Sequence, residues 1–246
     1  MPKSFVAVRP RRSRATRTAR GDASGVVDYV GPSPRLSSLV QKAYDGLLAI
    51  LFSGDLRPKD VIMERQIAKK LGLSRTPLRE AIRRLEGEKL LERQKGGAIV
   101  VSPISNEDFL HILSVRRLLE GEAARRAAQR ISTQYLVAFR DRVIATVEGK
   151  DSESLAELGR ELHLYIARSS GNPVLASVIE DMGKRSRLFI RSYAPVSVPQ
   201  LRKQVCEEHL ALIAALLDND GERAKAAREQ HIDNVRAYIL DRLAAL

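Results

Sequence analysis

Glu64-Arg65-Gln66-Ile67-Ala68-Lys69-Lys70-Leu71-Gly72-Leu73-Ser74-Arg75-Thr76-Pro77-Leu78-Arg79-Glu80-Ala81-Ile82 reads as two short amphipathic helices that meet at a glycine. Ile67, Ala68 and Leu71 fall on one face of the first; Leu78, Ile82 and then Leu85 fall on one face of the second. Gly72 can take the positive φ of a tight corner, and Ala68 is small where the two helices approach. Ser74 is placed to cap the second helix, and Pro77 stands in its first turn, where a missing N–H costs little. The start of that helix presents Ser74, Arg75, Thr76 and Arg79. Hydroxyls and free amides there suit phosphate, and an arginine can fork onto O6 and N7 of guanine. Arg75 and Arg79 are four apart and project from one face, which Arg83 continues towards backbone phosphate. Each residue alone fits an ordinary solvated basic helix. The order of short helix, glycine corner and capped basic helix predicts a helix-turn-helix.

The flanks complete the unit. Upstream, Leu36, Leu39, Val40, Ala43, Leu47, Leu48, Ile50 and Leu51 recur at helical spacing until Gly54, and Leu56-Arg57-Pro58 makes a turn. Downstream of Gly87, the stretches Leu90 to Arg93 and Ala98 to Val101 read as strands joined by a Gly96-Gly97 hairpin turn. After Pro103 the periodicity is helical throughout. Six amphipathic helices are expected over 106–130, 133–149, 151–170, 173–193, 199–218 and 220–244, with Ser105 or Asn106 capping the first. The fold class is therefore mainly α: a three-helix winged helix-turn-helix over 36–103, then an all-helical bundle over 104–246. Residues 1–35 carry Arg11, Arg12, Arg14, Arg17 and Arg20 among small and polar residues without apolar periodicity, and are expected to be a disordered basic tail.

Composition narrows the function classes. The net charge is +12, but residues 104–246 contribute only +1; the tail carries +6 and the winged-helix segment +5. A polyanionic partner for the N-terminal part follows from that asymmetry. Cys206 is the only cysteine, which rules out an internal disulfide framework and fits a reducing cytosol. No apolar run of about 18 residues exists, so no membrane span is expected and a cytoplasmic, nucleoid-associated location is.

The stretch Glu64 to Ile82, continued by Arg83-Arg84-Leu85-Glu86-Gly87-Glu88-Lys89-Leu90-Leu91-Glu92-Arg93, resembles the DNA-binding domain of the GntR family, and Leu73 to Ala81 carries the likeness most specifically. The helical remainder looks like the FCD effector domain of the FadR-type branch. The resemblance implies that Arg65 contacts DNA backbone or a base, that Arg75 and Arg79 read bases in the major groove, and that Ser74 and Thr76 bind phosphates. It implies that Gly97 lets the wing approach the minor groove. Pro58-Lys59-Asp60 departs from the Pro-Gly usual in the family before the second helix.

Three histidines, His163, His209 and His231, lie on separate expected helices among apolar neighbours. Any one alone reads as a core or capping histidine; three in one bundle could converge on a divalent ion such as Zn or Ni. The resemblance implies that these positions are metal ligands. It also implies a fourth ligand, usually Asp, four residues before the first, where this chain has Gly159. Cys206, on the His209 face, could substitute, though a buried apolar thiol is its ordinary reading. Glu161 points elsewhere on its helix. Arg116 and Glu120 form an i, i+4 pair, and the resemblance implies that Arg116 faces the central cavity and engages an effector carboxylate.

The expected protein is a homodimeric transcriptional regulator, usually a repressor in this family, that reads a pseudo-palindromic double-stranded operator and responds to a small carboxylate metabolite. A non-specific DNA-coating protein is the alternative that the tail favours. A metal-dependent hydrolase is a third, but the chain has no helical HExxH, phosphate loop or nucleophile elbow.

Overall fold

A computed structural model describes residues 34–148, 152–193 and 199–244. Residues 34–246 form one compact unit. Its elements run α1 (Pro34–Phe52), α2 (Glu64–Leu71), α3 (Arg75–Gly87), β1 (Leu91–Arg93), β2 (Ile99–Val101), α4 (Asn106–Ala127), α5 (Thr133–Glu148), α6 (Ser152–Ser169), α7 (Pro173–Tyr193), α8 (Pro199–Leu217) and α9 (Gly221–Ala244). The expected tail over 1–35 lies outside the described residues, except that Pro34 and Arg35 already belong to α1. Proline at the first helical position is pre-set for such a start.

The corner between α2 and α3 forms as the sequence predicts. Gly72 closes α2 in the left-handed conformation, with φ 64°. Ser74 occupies the cap position of α3, but its hydroxyl makes no capping hydrogen bond. Leu78, Ala81, Ile82 and Leu85 of α3 are buried against Ala43, Tyr44, Leu47 and Leu51 of α1. The wing is tighter than the sequence suggests. Leu91 pairs with Val101, Glu92 with Val100 and Arg93 with Ile99. In the turn, the Gly97 N–H donates to Gln94 O (2.8 Å), the Gln94 N–H donates to Ala98 O (2.9 Å), and Gly97 has φ 83°. This is a type I turn followed by a bulge, so Gly97 rather than Gly96 carries the left-handed residue.

A third extended segment, not foreseen, flanks β2. The Val101 N–H donates to Asp60 O (3.0 Å), the Ile62 N–H to Ile99 O (2.8 Å) and the Lys59 N–H to Val101 O (2.9 Å). These bonds hold Lys59 at φ 73°, where most families of turns would place glycine.

The six helices from α4 onward follow the expected order with ends shifted by up to three residues. Ser105 caps α4, its Oγ accepting from the Asp108 N–H. α4 and α9 pack side by side along most of their lengths, with α7 and α6 against α4 and with α8 between α5 and α9. One apolar cluster fills the bundle around Leu136, Phe139, Leu162, Leu212 and Leu216. A second joins α7 and α9 to the winged helix: Leu188, Phe189, Ile232 and Ile239 share a core with Leu47, Leu78 and Leu85, and Phe189 stacks on Phe109 at 4.0 Å. Polar contacts follow the same seam. Arg191 donates to the carbonyls of Phe52 and Ser53 at the end of α1, and Lys184 reaches Glu88 at 3.1 Å.

Candidate DNA-reading face and buried ligand site

Two sets of residues carry chemistry. The first is the exposed face of α2, α3 and the wing. Burying Leu78, Ala81, Ile82 and Leu85 turns Arg75, Thr76, Arg79 and Arg83 outward, and Ser74, Arg65 and Gly97 are exposed as well. Ser74, Arg75, Thr76 and Arg79 thus share the N-terminal end of one helix, where amide N–H groups are free. Arg79 Nε donates to Glu64 Oε2 at 3.0 Å, and Arg83 pairs with Glu80 at 2.8 Å. Arg84 turns the other way, onto α1, with its guanidinium 3.8 Å from the Tyr44 ring centroid.

The second set lies inside the bundle. His163 on α6, His209 on α8 and His231 on α9 converge, with ring centroids 5.1–5.2 Å apart and one nitrogen of each within 4.8 Å of the others. Among the described residues this group of potential ligands contains the three histidines alone. His231 Nδ1 lies 2.6 Å from Glu208 Oε2. A carboxylate there accepts a hydrogen bond from Nδ1–H and leaves the Nε2 lone pair for a ligand. His163 Nε2 and both nitrogens of His209 are buried without a hydrogen-bond partner. Burial holds His163 and His209 well below the usual imidazole range, helped next by the Arg228 charge at His163 and by His231 and then Arg228 at His209. Burial lowers His231 too, against the pull of Glu208. Neutral imidazoles with orphaned lone pairs are what a divalent cation requires, and their orphaned state without one costs free energy. The residues present therefore fit a metal ion.

Gly159 is also explained. A Cβ there would lie 2.5 Å from His209 Cε1 and 3.0 Å from Nε2, so the imidazole occupies the space a side chain would need. Cys206 does not supply the missing ligand. It packs in the apolar cluster, where burial raises its thiol pKa. Glu161 faces away, accepting from Tyr135 Oη (3.0 Å) and Arg142 (2.9 Å).

Beside the histidines stands a buried ion network. Arg116 Nε donates to Glu120 Oε1 at 2.6 Å, and its Nη1 donates to Ser186 Oγ at 2.8 Å. Glu120 Oε2 accepts from Arg228 through both Nε, at 2.9 Å, and Nη2. The i, i+4 pair seen in the sequence is thus part of a core triad rather than an exposed surface pair. Arg228 is only 1% exposed, and its Nη1 has no partner. Burial alone would raise the Glu120 pKa; the charges of Arg116 and Arg228 outweigh it and bring the carboxyl to about 2. One carboxylate serves two guanidiniums, and the Glu208 carboxylate adds a second negative charge that acts on Arg228. Sequence reasoning missed Arg228, Glu208 and Ser186. The only available sign was spacing: Arg228 precedes His231 by three residues, one turn of the same helix face.

A basic winged helix joined to a helical bundle with a buried site of histidines and arginines is the build of a DNA-binding regulator that answers to a small molecule. Residues 39–101 match the bacterial regulatory proteins of the gntR family, and residues 111–234 match the FCD domain. The chain belongs to the GntR family of transcriptional regulators, in the branch that carries an FCD domain. It is 28% identical to the Uxu operon transcriptional regulator of Escherichia coli (strain K12), over 72% of this chain and 77% of that one. It is 29% identical to the Glc operon transcriptional activator of the same strain, over 72% and 79%. Among solved structures it is similar to E. coli McbR/YncC, with a TM-score of 0.75 at 24% identity, covering 83% of this chain and 98% of that one, which shows a shared fold. Among the described residues no helix is long and apolar enough to cross a membrane.

Proposed function

We propose that residues 36–103 read a pseudo-palindromic operator as one half of a homodimer, and that residues 104–246 bind a small carboxylate metabolite that changes operator affinity. Arg75 and Arg79 take base edges in the major groove, Ser74 and Thr76 hold flanking phosphates, Arg65 contacts the adjacent backbone or a base, and Gly97 brings the wing to the minor groove. The free hydroxyl of Ser74 suits this role, since no capping bond competes for it. A two-fold dimer matches a two-fold site.

The effector reading rests on one observation: a buried guanidinium, Arg228, whose charge acts on all three histidines, keeps an unpartnered N–H. Such a group calls for an anion. Zn or Ni held by His163, His209 and His231 would add Lewis-acid attraction for the same carboxylate. Arg116 positions Glu120, and through it Arg228, because its own Nε and Nη1 are already engaged. The sense of regulation depends on where the operator lies relative to a promoter; repression follows where the two overlap.

The test is selection of bound sequences from random duplexes with the full chain, followed by titration of the winning duplex with small carboxylates. One enriched palindrome, and at least one carboxylate that shifts its affinity, are expected. Equal binding to all duplexes would replace this reading with DNA coating. Enrichment without any carboxylate response would remove the effector class and keep the operator.

A further inference from the structure

Helix α7 turns one basic stripe towards the winged helix. Lys184, Arg187 and Arg191 follow helical spacing and share a face. Each grips a different part of the DNA-binding unit. Lys184 Nζ donates to Glu88 Oε2 at 3.1 Å, at the C-terminal cap of α3, the helix that carries Arg75 and Arg79. The same Glu88 carboxylate accepts from Tyr44 Oη of α1 at 2.7 Å and from Arg84 at 3.2 Å. Arg187 lays its guanidinium 4.3 Å from the Phe52 ring centroid and also bonds Glu157 of α6. Arg191 donates to the carbonyls of Phe52 and Ser53, each at 3.0 Å, and so satisfies the end of α1. The Lys184 and Glu88 side chains are only 14% and 13% exposed, so salt screens their pairing weakly.

The covalent connection adds little freedom. Between β2 and α4, Ser102 and Ile104 are buried, and the Ser102 N–H donates to Leu90 O at 3.0 Å. The winged helix is therefore held in one orientation on its own bundle and is not a module on a loose tether. In a two-fold dimer that orientation fixes how far apart the two reading helices stand. One base pair added between half-sites moves one of them by about 3.4 Å and turns it by about 34°. A loose tether absorbs such a change, whereas a clamped unit must break its contacts or release one half-site.

We propose that Lys184 and Arg191 set the half-site spacing that the protein accepts. The inference rests on the palindromic-operator reading above and deepens it, because it places part of the sequence preference outside the DNA-reading face. Neither residue belongs to that face. Both are positioning residues, acting through Glu88 on α3 and through the end of α1.

The experiment uses the full chain and the variants Lys184→Met and Lys184→Met/Arg191→Met, each checked for folding by circular dichroism. Fluorescence anisotropy measures binding to the selected palindrome, to the same duplex with one or two base pairs added or removed at its centre, and to a duplex with a single half-site. One added base pair is expected to weaken binding of the unaltered chain by about a hundredfold, and that of the double variant by about tenfold or less. Affinity for the single half-site should agree among all three proteins within about twofold. Lys184→Met, which removes one bond and little packing, should show a smaller relaxation in the same direction and carries the test where the double variant does not fold. Spacing profiles that coincide for the unaltered chain and the folded variants overturn the proposal. So does an unaltered chain that accepts the added base pair without loss, or a variant that loses half-site affinity in step with the palindrome. If no duplex of any spacing outbinds random DNA, the operator reading itself fails. An operator that is bound with the same spacing preference by every variant leaves that reading standing and removes only this inference.

Discussion

Arg79 Nε donates to Glu64 Oε2 across 3.0 Å, so the first residue of α2 holds one of the two arginines that face the major groove in the proposed complex. The pair is solvent-accessible, with Arg79 59% exposed. It fixes the guanidinium without neutralising it beyond reach, since exposed pairs contribute about 0–1 kcal/mol.

Competition between Glu64 and DNA for Arg79 gives opposite signs for two variants. Arg79→Ala, like Arg75→Ala, is expected to cost about 1–3 kcal/mol at the selected duplex and to relax base preference at one position per half-site. Glu64→Gln removes the competing charge and is expected to tighten binding by up to about fivefold. Gel-shift titrations on the selected duplex read both. No loss for either alanine variant would move the reading helix elsewhere.

Lys59 sits at φ 73° because its N–H must reach Val101 O. A side chain in that region is strained, whereas glycine is not. Lys59→Gly keeps the hydrogen bond and removes the strain. It is expected to raise stability by about 0.5–1 kcal/mol, after allowance for the greater freedom of glycine in the unfolded chain. The midpoint of urea unfolding would rise with no change in slope.

Glu120 shares its carboxylate between Arg116 and Arg228 inside the bundle. Glu120→Gln strands two buried guanidiniums and is expected to cost about 3–5 kcal/mol. The same pairing sets a pH dependence. The folded pKa, about 2, lies below the ordinary 4.5. The stabilisation is therefore complete above about pH 4.5 and is lost as pH falls towards 2. Unfolding free energies measured across that window should decline less steeply in Glu120→Gln than in the unaltered chain.

Phe189 stacks on Phe109 and lies in the core that contains Leu47, Leu78 and Leu85. Phe189→Ala should leave a cavity and cost about 3–5 kcal/mol. Because that core is common to the winged helix and to α7 and α9, thermal unfolding should show one calorimetric transition over the described unit rather than two. Two well-separated transitions would contradict the shared core.

The helix-turn-helix was legible because its signals are local. Gly72, Ser74 and the basic start of α3 lie within eight residues, and turn chemistry and capping act over that range. The histidine site was not legible in the same way. His163, His209 and His231 stand on three separate helices; their residue types allowed convergence in one bundle, and family likeness singled them out as a ligand set before the bundle brought them together. Arg228 was hidden by number: it is one of 42 basic residues, and nothing in Ala227-Arg228-Glu229 marks it as buried. What buries it is a carboxylate 108 positions earlier, a pairing no periodicity reports. The extended segment at Asp60 to Ile62 escaped for the same reason, since its partners come from β2.

Helix α7 has a consequence for how such proteins can be taken apart and recombined. Ser186 touches Arg116 of the ligand pocket, and two and three residues later Leu188 and Phe189 plug the base of the reader module. A fragment cut after Pro103 would therefore carry an open apolar socket, and a chimera grafting this reader onto another sensor would inherit the foreign α7 as its plug. Successful splices should be those that transplant the second half of α7 along with the reader, because that half-helix belongs structurally to both.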